Sequence, residues 1–351
     1  MSGFDFNKIL RPHLRDFQAY SSARTEFRGK ADVFLDANEN PYQSVGGGYF
    51  NRYPDSSNFA VRSKIAEYRK VSVDNVVVAN GSDELIDLLV RAFCDPGKDK
   101  ILICPPTYPM FKTTAVLNNV GVTEVQLNAK FQLDTEKILE TIDEHTKLIF
   151  INSPNNPTGN LIHSDDIKLL LNRFNGLVVI DEAYIDFADT NSWINLIGHY
   201  PNLYVIQTMS KAWGMAGLRL GLGFGSTDVS GILQKIKPPY NINSVSNNWA
   251  IKAFDLIGEK YQMVELMRLE RLKLQQTLRE LPFVEKVYDS DANFVLVKVK
   301  NADKLYNFLL HQGIVVRNRS KLPLCENSLR ICVGNSEENR KLFKALREYK
   351  D

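Results

Sequence analysis

Lys211 closes an apolar run, Leu203-Tyr204-Val205-Ile206, and sits in the stretch Ser210-Lys211-Ala212-Trp213-Gly214-Met215-Ala216-Gly217. The run reads as a buried strand. A lysine held among small residues at a strand end can reach a carbonyl carbon and form a Schiff base with it. Eight residues on, Arg219 carries a planar fork suited to a phosphate. Alone, a lysine after a strand is ordinarily a solvated surface residue. A second stretch changes that balance: Val178-Val179-Ile180-Asp181-Glu182-Ala183-Tyr184 is another apolar run that ends in an acid, with Tyr184 three residues later. A buried strand-end Asp is most often a turn former.

Taken in order, Asn80-Gly81-Ser82-Asp83-Glu84, Ser153-Pro154-Asn155-Asn156-Pro157-Thr158-Gly159, Asp181-x-x-Tyr184, Ser210-Lys211-x-x-Gly214 and Gly217-x-Arg219 resemble the pattern of the fold-type I pyridoxal-phosphate aminotransferases. Leu35-Asp36-Ala37-Asn38-Glu39-Asn40-Pro41, Arg52-Tyr53-Pro54-Asp55, and Val316-Arg317 followed by Leu329-Arg330-Ile331 are similar to the histidinol-phosphate aminotransferase subfamily. The likeness runs from about Tyr20 to about Val333. It implies pyridoxal 5'-phosphate on Lys211, with Asp181 at its ring nitrogen and Tyr184 and Asn156 at its 3-oxygen. Tyr108 would stack on the ring. Gly81, Ser82, Asp83, Ser210 and Arg219 would hold its phosphate. It further implies a homodimer with shared active sites, in which Tyr53 serves the partner's cofactor, and a substrate pocket drawn from Tyr20, Asn38, Arg317 and Arg330. The implied reaction is amino transfer between L-histidinol phosphate and 2-oxoglutarate, giving imidazole acetol phosphate and glutamate in histidine biosynthesis. Threonine-phosphate decarboxylase, a broader aromatic or aspartate aminotransferase, and a non-catalytic cofactor-sensing regulator stand as competitors. The regulator would need a DNA-binding module, for which the residues before the first lobe are too few.

The elements that must position these residues alternate. Phe59 to Lys70 has helical spacing, Asn75 to Ala79 reads as a strand, and Asp83 to Phe93 is a helix with Leu85, Leu88, Leu89 and Phe93 inward. Between them, Asn80-Gly81-Ser82 offers free backbone N–H groups at a helix start, which is either an ordinary cap or an anion site. Further strands are expected at Lys100–Cys104, Val122–Leu127 and Lys147–Asn152, with a helix near Thr135–Ile142. Strands alternating with helices make a mainly parallel sheet flanked by helices, and ligands bind at the carboxyl ends of such strands. Asn80, Tyr108, Asn156, Asp181 and Lys211 all follow a strand, a regularity of this sequence itself. Pro105-Pro106-Thr107-Tyr108-Pro109 is a rigid turn presenting one aromatic, and the Asn156–Pro157 bond can be cis.

The expected organisation is an N-terminal arm over residues 1–30, a large α/β domain over 31–245 and a smaller α+β domain over 246–351. In the small domain a long apolar-periodic stretch from Ser244 to Leu281, broken at Gly258, precedes strands at Glu285–Tyr288, Phe294–Val299, Ile314–Arg317 and Leu329–Val333 and helices at Asp303–Gln312 and Glu337–Tyr349. The Gly46-Gly47-Gly48 loop that leads to Tyr53 has no obvious anchor. Glycines in Arg219-Leu-Gly-Leu-Gly-Phe-Gly225 do not fit a dinucleotide fingerprint and are better explained by close backbone packing.

Composition sets the bounds. A chain of 351 residues, 44% hydrophobic and 24% charged, is long enough for two lobes. A formal charge of +2 argues against a nucleic-acid partner. No apolar run approaches the ~20 residues of a membrane span. The four cysteines form no C-x-x-C pair, and Cys94 and Cys332 are expected in the core, as in a cytoplasmic protein. The five histidines show no metal-ligand spacing.

Overall fold

A computed structural model describes residues 4–20 and 31–350. Runs of Val, Ile and Leu buried on both faces build the centre of the main sheet, as parallel strands covered by helices require. Its strands are β1 (Val76–Asn80), β2 (Lys100–Ile103), β3 (Gly121–Glu124), β4 (Thr146–Asn152), β5 (Leu177–Asp181), β6 (Leu203–Thr208) and β7 (Leu220–Phe224). They lie in the order β1-β7-β6-β5-β4-β2-β3. The pairs among β3, β2, β4, β5 and β6 are parallel, whereas β7 runs antiparallel to both β1 and β6. A second, four-stranded sheet is wholly antiparallel, in the order β10 (Arg317–Asn318), β11 (Ser328–Cys332), β9 (Phe294–Val299), β8 (Val284–Val287).

The helices are α1 (Phe6–Ile9), α2 (Phe59–Arg69), α3 (Ser82–Phe93), α4 (Met110–Leu117), α5 (Thr135–Thr141), α6 (Ser164–Arg173), α7 (Thr227–Ile236), α8 (Ser244–Asp255), α9 (Ile257–Arg279), α10 (Ala302–His311) and α11 (Ser336–Glu348). One core cluster on each face of the large sheet and a third around Leu274, Val297, Leu305 and Leu346 in the small lobe hold the chain together. Phe294 and Leu296 of the small sheet belong to a large-sheet cluster, so apolar packing runs continuously between the two sheets.

Several expectations are corrected. The long C-terminal helix is interrupted at Leu256, which adopts φ −110°, ψ 28°, and Gly258 lies inside α9. Gly258 is only the second residue of that helix, so the break precedes it by two residues. The strand expected from Ile314 shrinks to Arg317–Asn318. Cys332 is exposed, while Cys94, Cys104 and Cys325 are buried, and all four are free. Alternation puts Cys332 on the face opposite Ile331, away from the small-lobe core. Of the N-terminal arm, residues 1–3 and 21–30 lie outside the described residues. Its described part buries Ile9, Leu10 and Leu14 in the core of this chain's own large lobe. No helix among the described residues is long and apolar enough to cross a membrane.

Candidate active site

The carboxyl ends of β1, β4, β5 and β6 open into one pocket, lined by Ser82, Asp83, Tyr108, Asn152, Asn156, Asp181, Ala183, Tyr184, Thr208, Ser210, Lys211, Ala216 and Arg219. Nine of the sequence-derived candidates meet here. Because β7 is reversed, Arg219 enters the pocket from the start of its strand, facing Lys211 at the end of β6.

One rim is a helix N-terminus. Gly81 caps α3 at φ 81°, a left-handed conformation that suits glycine. A Cβ there would meet the Arg219 guanidinium at 2.6 Å. From the other side, a Cβ on Gly221 would run into the Gly81 carbonyl and meet the Ser82 nitrogen at 2.6 Å. The close packing of β7 on the first turn of α3 thus accounts for Gly221, while Gly223 and Gly225 make room for the ring of Tyr204 on β6. The packing on α3 leaves its first N–H groups beside a guanidinium, a cradle for a phosphate. Arg219 itself has φ 54° and reaches Asp83 at only 3.5 Å, leaving its fork free for a better anion. Asp83 also accepts from the Tyr108 hydroxyl at 3.0 Å, which fixes that ring at the pocket wall. Burial and the Asp83 charge push the Tyr108 phenol upward.

The opposite end is acidic. Asp181 is 3% exposed, and its carboxylate accepts from the Ala183 N–H at 2.9 Å. Burial raises its pKa to about 7. Lys211 is pushed the other way, by burial first and by the Arg330 charge second, toward a neutral amine. Tyr184 is held up at about 12 by burial, and Asn156 donates to its hydroxyl at 3.4 Å. Lys211 Nζ lies 5.8 Å from the Tyr184 ring centroid. The Asn156–Pro157 bond is cis, as are Pro105–Pro106 and Ser153–Pro154.

Sequence reasoning missed Asn152. Its side chain donates to the Asp181 carbonyl at 3.0 Å and accepts from the Asn156 N–H at 2.8 Å, so it ties the Asn156 loop to β5. Its place as the last residue of β4, opposite Asp181 in register, was the available signal. Thr208 was missed too; its hydroxyl spans Leu220 O and Ser210 and locks the start of the Lys211 turn.

The remaining candidates lie elsewhere or bridge inward. Arg330, on β11, reaches across from the small lobe and donates to Asn156 Oδ1 at 2.5 Å, with its guanidinium 5.0 Å from the centroid of the Phe294 ring. Arg317 is directly opposite Arg330 in register and is exposed. Tyr53 and Asn38 line a separate cavity, and Tyr20 another. The loop of Tyr53 does have an anchor in its own chain. Tyr53 stacks on Tyr240 at 4.5 Å, its N–H donates to Glu39, and Arg52 pairs with Glu39 at 2.7 Å. Tyr53 nevertheless remains 53% exposed.

A two-lobed α/β fold with a strand-end lysine, a buried acid and a helix-terminal anion cradle defines a transferase of the pyridoxal-phosphate type. The chain belongs to the aminotransferase class I and II family, whose profile matches residues 30–346. It is therefore an enzyme of amino-group transfer, and its family implies pyridoxal phosphate. A histidinol-phosphate aminotransferase of Christiangramia forsetii is 49% identical over 351 residues, 99% of each chain. The crystal structure of the histidinol-phosphate aminotransferase from Clostridium acetobutylicum superposes with a TM-score of 0.78 at 28% identity, covering 85% of this chain and 90% of that one. The Sinorhizobium meliloti histidinol-phosphate aminotransferase, solved with pyridoxal-5'-phosphate, shares the fold at a TM-score of 0.78 and 22% identity, covering 85% of this chain and 82% of that one.

Proposed function

We propose that this enzyme moves the amino group of L-histidinol phosphate to 2-oxoglutarate, giving imidazole acetol phosphate and glutamate, in histidine biosynthesis. One observation carries the chemistry: a lysine driven toward its neutral form and a carboxyl held near neutrality share a pocket that ends in an anion cradle. The near full-length likeness to the Christiangramia forsetii enzyme supports the choice of substrates. Threonine-phosphate decarboxylase and a broader aromatic or aspartate aminotransferase are not favoured by the same likeness.

The residues fit pyridoxal phosphate. The buried Asp181 carboxylate wants a cationic partner, and a protonated ring nitrogen is one. Gly81 and the N–H groups of Ser82 and Asp83, with Ser210 and Arg219, would hold the phosphate. Asn156 and Tyr184 would hold the ring oxygen, and Tyr108 would cover the ring face. When bound, the cofactor supplies an aldehyde carbon and an electron-accepting ring. Lys211 would be its covalent anchor and, once displaced by the substrate amine, would be the base that takes the substrate Cα proton and carries it through a 1,3-shift. Arg330 grips the α-carboxylate of glutamate, and Arg317 adds charge for the phosphate of the other substrate.

The active form is a homodimer in which Tyr53 completes the partner's cofactor site, with Asn38 and Tyr20 reaching substrate. Supporting this, Tyr53 is exposed and stands outside the pocket of its own chain, beside exposed Tyr49 and Phe50. Free cysteines point to a reducing compartment, the cytoplasm. The test is borohydride reduction of purified protein followed by peptide mapping, together with glutamate formation from histidinol phosphate and 2-oxoglutarate. An adduct on a lysine other than 211 would sink the site assignment. Carbon dioxide release from threonine phosphate, with no amino transfer from histidinol phosphate, would transfer the enzyme to the decarboxylases.

A further inference from the structure

The small sheet carries an uncompensated cluster of positive charge. Arg317 and Arg330 are paired across β10 and β11. The pairing runs on past β10, because the Arg319 N–H donates to the Ser328 carbonyl at 2.9 Å. Residues two apart on an extended chain share a face, so Arg317, Arg319 and Arg330 all stand on one side of the sheet. The other side is the small-lobe core, where Leu329 and Ile331 are buried. The arginine side is the one that meets the large lobe: Arg330 is opposite Leu296 and packs on Phe294, and both apolar residues belong to the large-sheet core.

Like charges opposite one another destabilise a sheet. Ordinary surfaces relieve this with carboxylates, yet among the described residues none of the three arginines forms an ion pair. The buried Nε atoms of Arg319 and Arg330 also have no hydrogen-bond partner. Arg319 feels the charges of Arg330 and Arg317, and Tyr184, which lines the active-site pocket, feels the charge of Arg319 in turn. A single α-carboxylate occupies one guanidinium fork. A phosphate dianion offers three acceptor oxygens and twice the charge, enough for a further fork.

We infer that Arg319 is a third anion-binding residue of this enzyme, one that takes the phosphate end of the amino substrate beside Arg317 and so sets the preference for phosphorylated over unphosphorylated donors. The inference rests on the proposed use of histidinol phosphate.

The experiment compares holoenzyme carrying Arg319, Arg319→Gln or Arg319→Lys with three amino donors: histidinol phosphate, histidinol and glutamate. In Arg319→Gln, kcat/KM for histidinol phosphate falls about 10- to 100-fold, the worth of one charge-assisted hydrogen-bonded contact, mainly through KM. Histidinol and glutamate change by no more than about twofold, as for a surface substitution. Arg319→Lys recovers part of the loss. A structural role would instead lower all three donors together, and that result, or a larger loss for glutamate, overturns the inference. Inorganic phosphate gives an independent readout. It competes with glutamate, and its inhibition constant rises in Arg319→Gln by a factor similar to the histidinol-phosphate loss. Unchanged phosphate inhibition overturns the inference whatever the substrate. A weakened phosphate effect in an enzyme inactive with histidinol phosphate would spare Arg319 and remove only the proposed donor.

Discussion

Replacing Asp181 by Asn should flatten the pH dependence of stability in the cofactor-free protein. Burial raises this carboxyl from its ordinary 3.8 to about 7. Between those values the folded chain keeps the proton and the unfolded chain gives it up. The associated stability is therefore fully present below about pH 4 and is lost as pH rises through about 7. Each pH unit in this window costs ~1.4 kcal/mol, so from pH 5 to pH 8 the wild-type protein should lose roughly 2–3 kcal/mol that Asp181→Asn does not. Urea unfolding at fixed protein concentration and ionic strength measures the loss as a shift in midpoint at constant slope. Contributions from other titrating groups cancel in the difference between the two proteins. Parallel stability curves for wild type and Asp181→Asn would refute the reasoning. Adding pyridoxal phosphate should reverse the sign of the effect, because a ring cation makes the charged carboxylate the favoured form.

Other outcomes follow from the same structure. Gly221→Ala drives a methyl into the Gly81–Ser82 backbone and should cost about 1–3 kcal/mol in thermal melting while weakening pyridoxal-phosphate binding in a titration. Tyr204→Phe removes a buried hydroxyl with no partner and should raise stability by about 1 kcal/mol, measured by the same melts. Arg330→Ala should slow the glutamate half-reaction at least 30-fold or so in single-turnover spectra, whereas Arg317→Ala should damage the histidinol-phosphate half-reaction more than the glutamate one. Mixing Lys211→Ala with an inactive Tyr53 variant should restore activity in hybrid dimers. No recovery after demonstrated subunit exchange would count against a shared site.

What the sequence made legible was whatever local pattern governs. Asp181 and Lys211 end long apolar runs, so their place at the carboxyl edge of a parallel sheet followed from strand direction alone. Gly81 before a helical period marked the start of α3, but that pattern alone read equally as an ordinary cap or as an anion site. Arg319 was illegible because β10 is two residues long and offers no period, and only its pairing with β11 shows which face Arg319 occupies. Asn152 read as the end of a strand, and its tie to the Asn156 loop depends on a register with β5 that no linear pattern encodes. The reversal of β7 was hidden likewise, since buried strands look alike in either direction. The Tyr53 loop read as unanchored because its anchors, Glu39 and Tyr240, lie far apart in the chain.

That reversal has a consequence for how the chain can change length. Lys211 leaves β6 and Arg219 enters β7 at the same edge of the sheet, so a single short turn carries both. Lengthening a loop costs little in chain entropy, about 0.6 kcal/mol per doubling. Thermodynamics alone would therefore admit insertions between residues 212 and 218 as readily as at the exposed turn of Asp189–Asn191. Geometry does not: any added residue there alters the span between the Lys211 amine and the Arg219 guanidinium, which line one pocket. Length variation in proteins built on this plan should gather at turns like 189–191 and be absent from 212–218, a spacing held by the pocket's own dimensions.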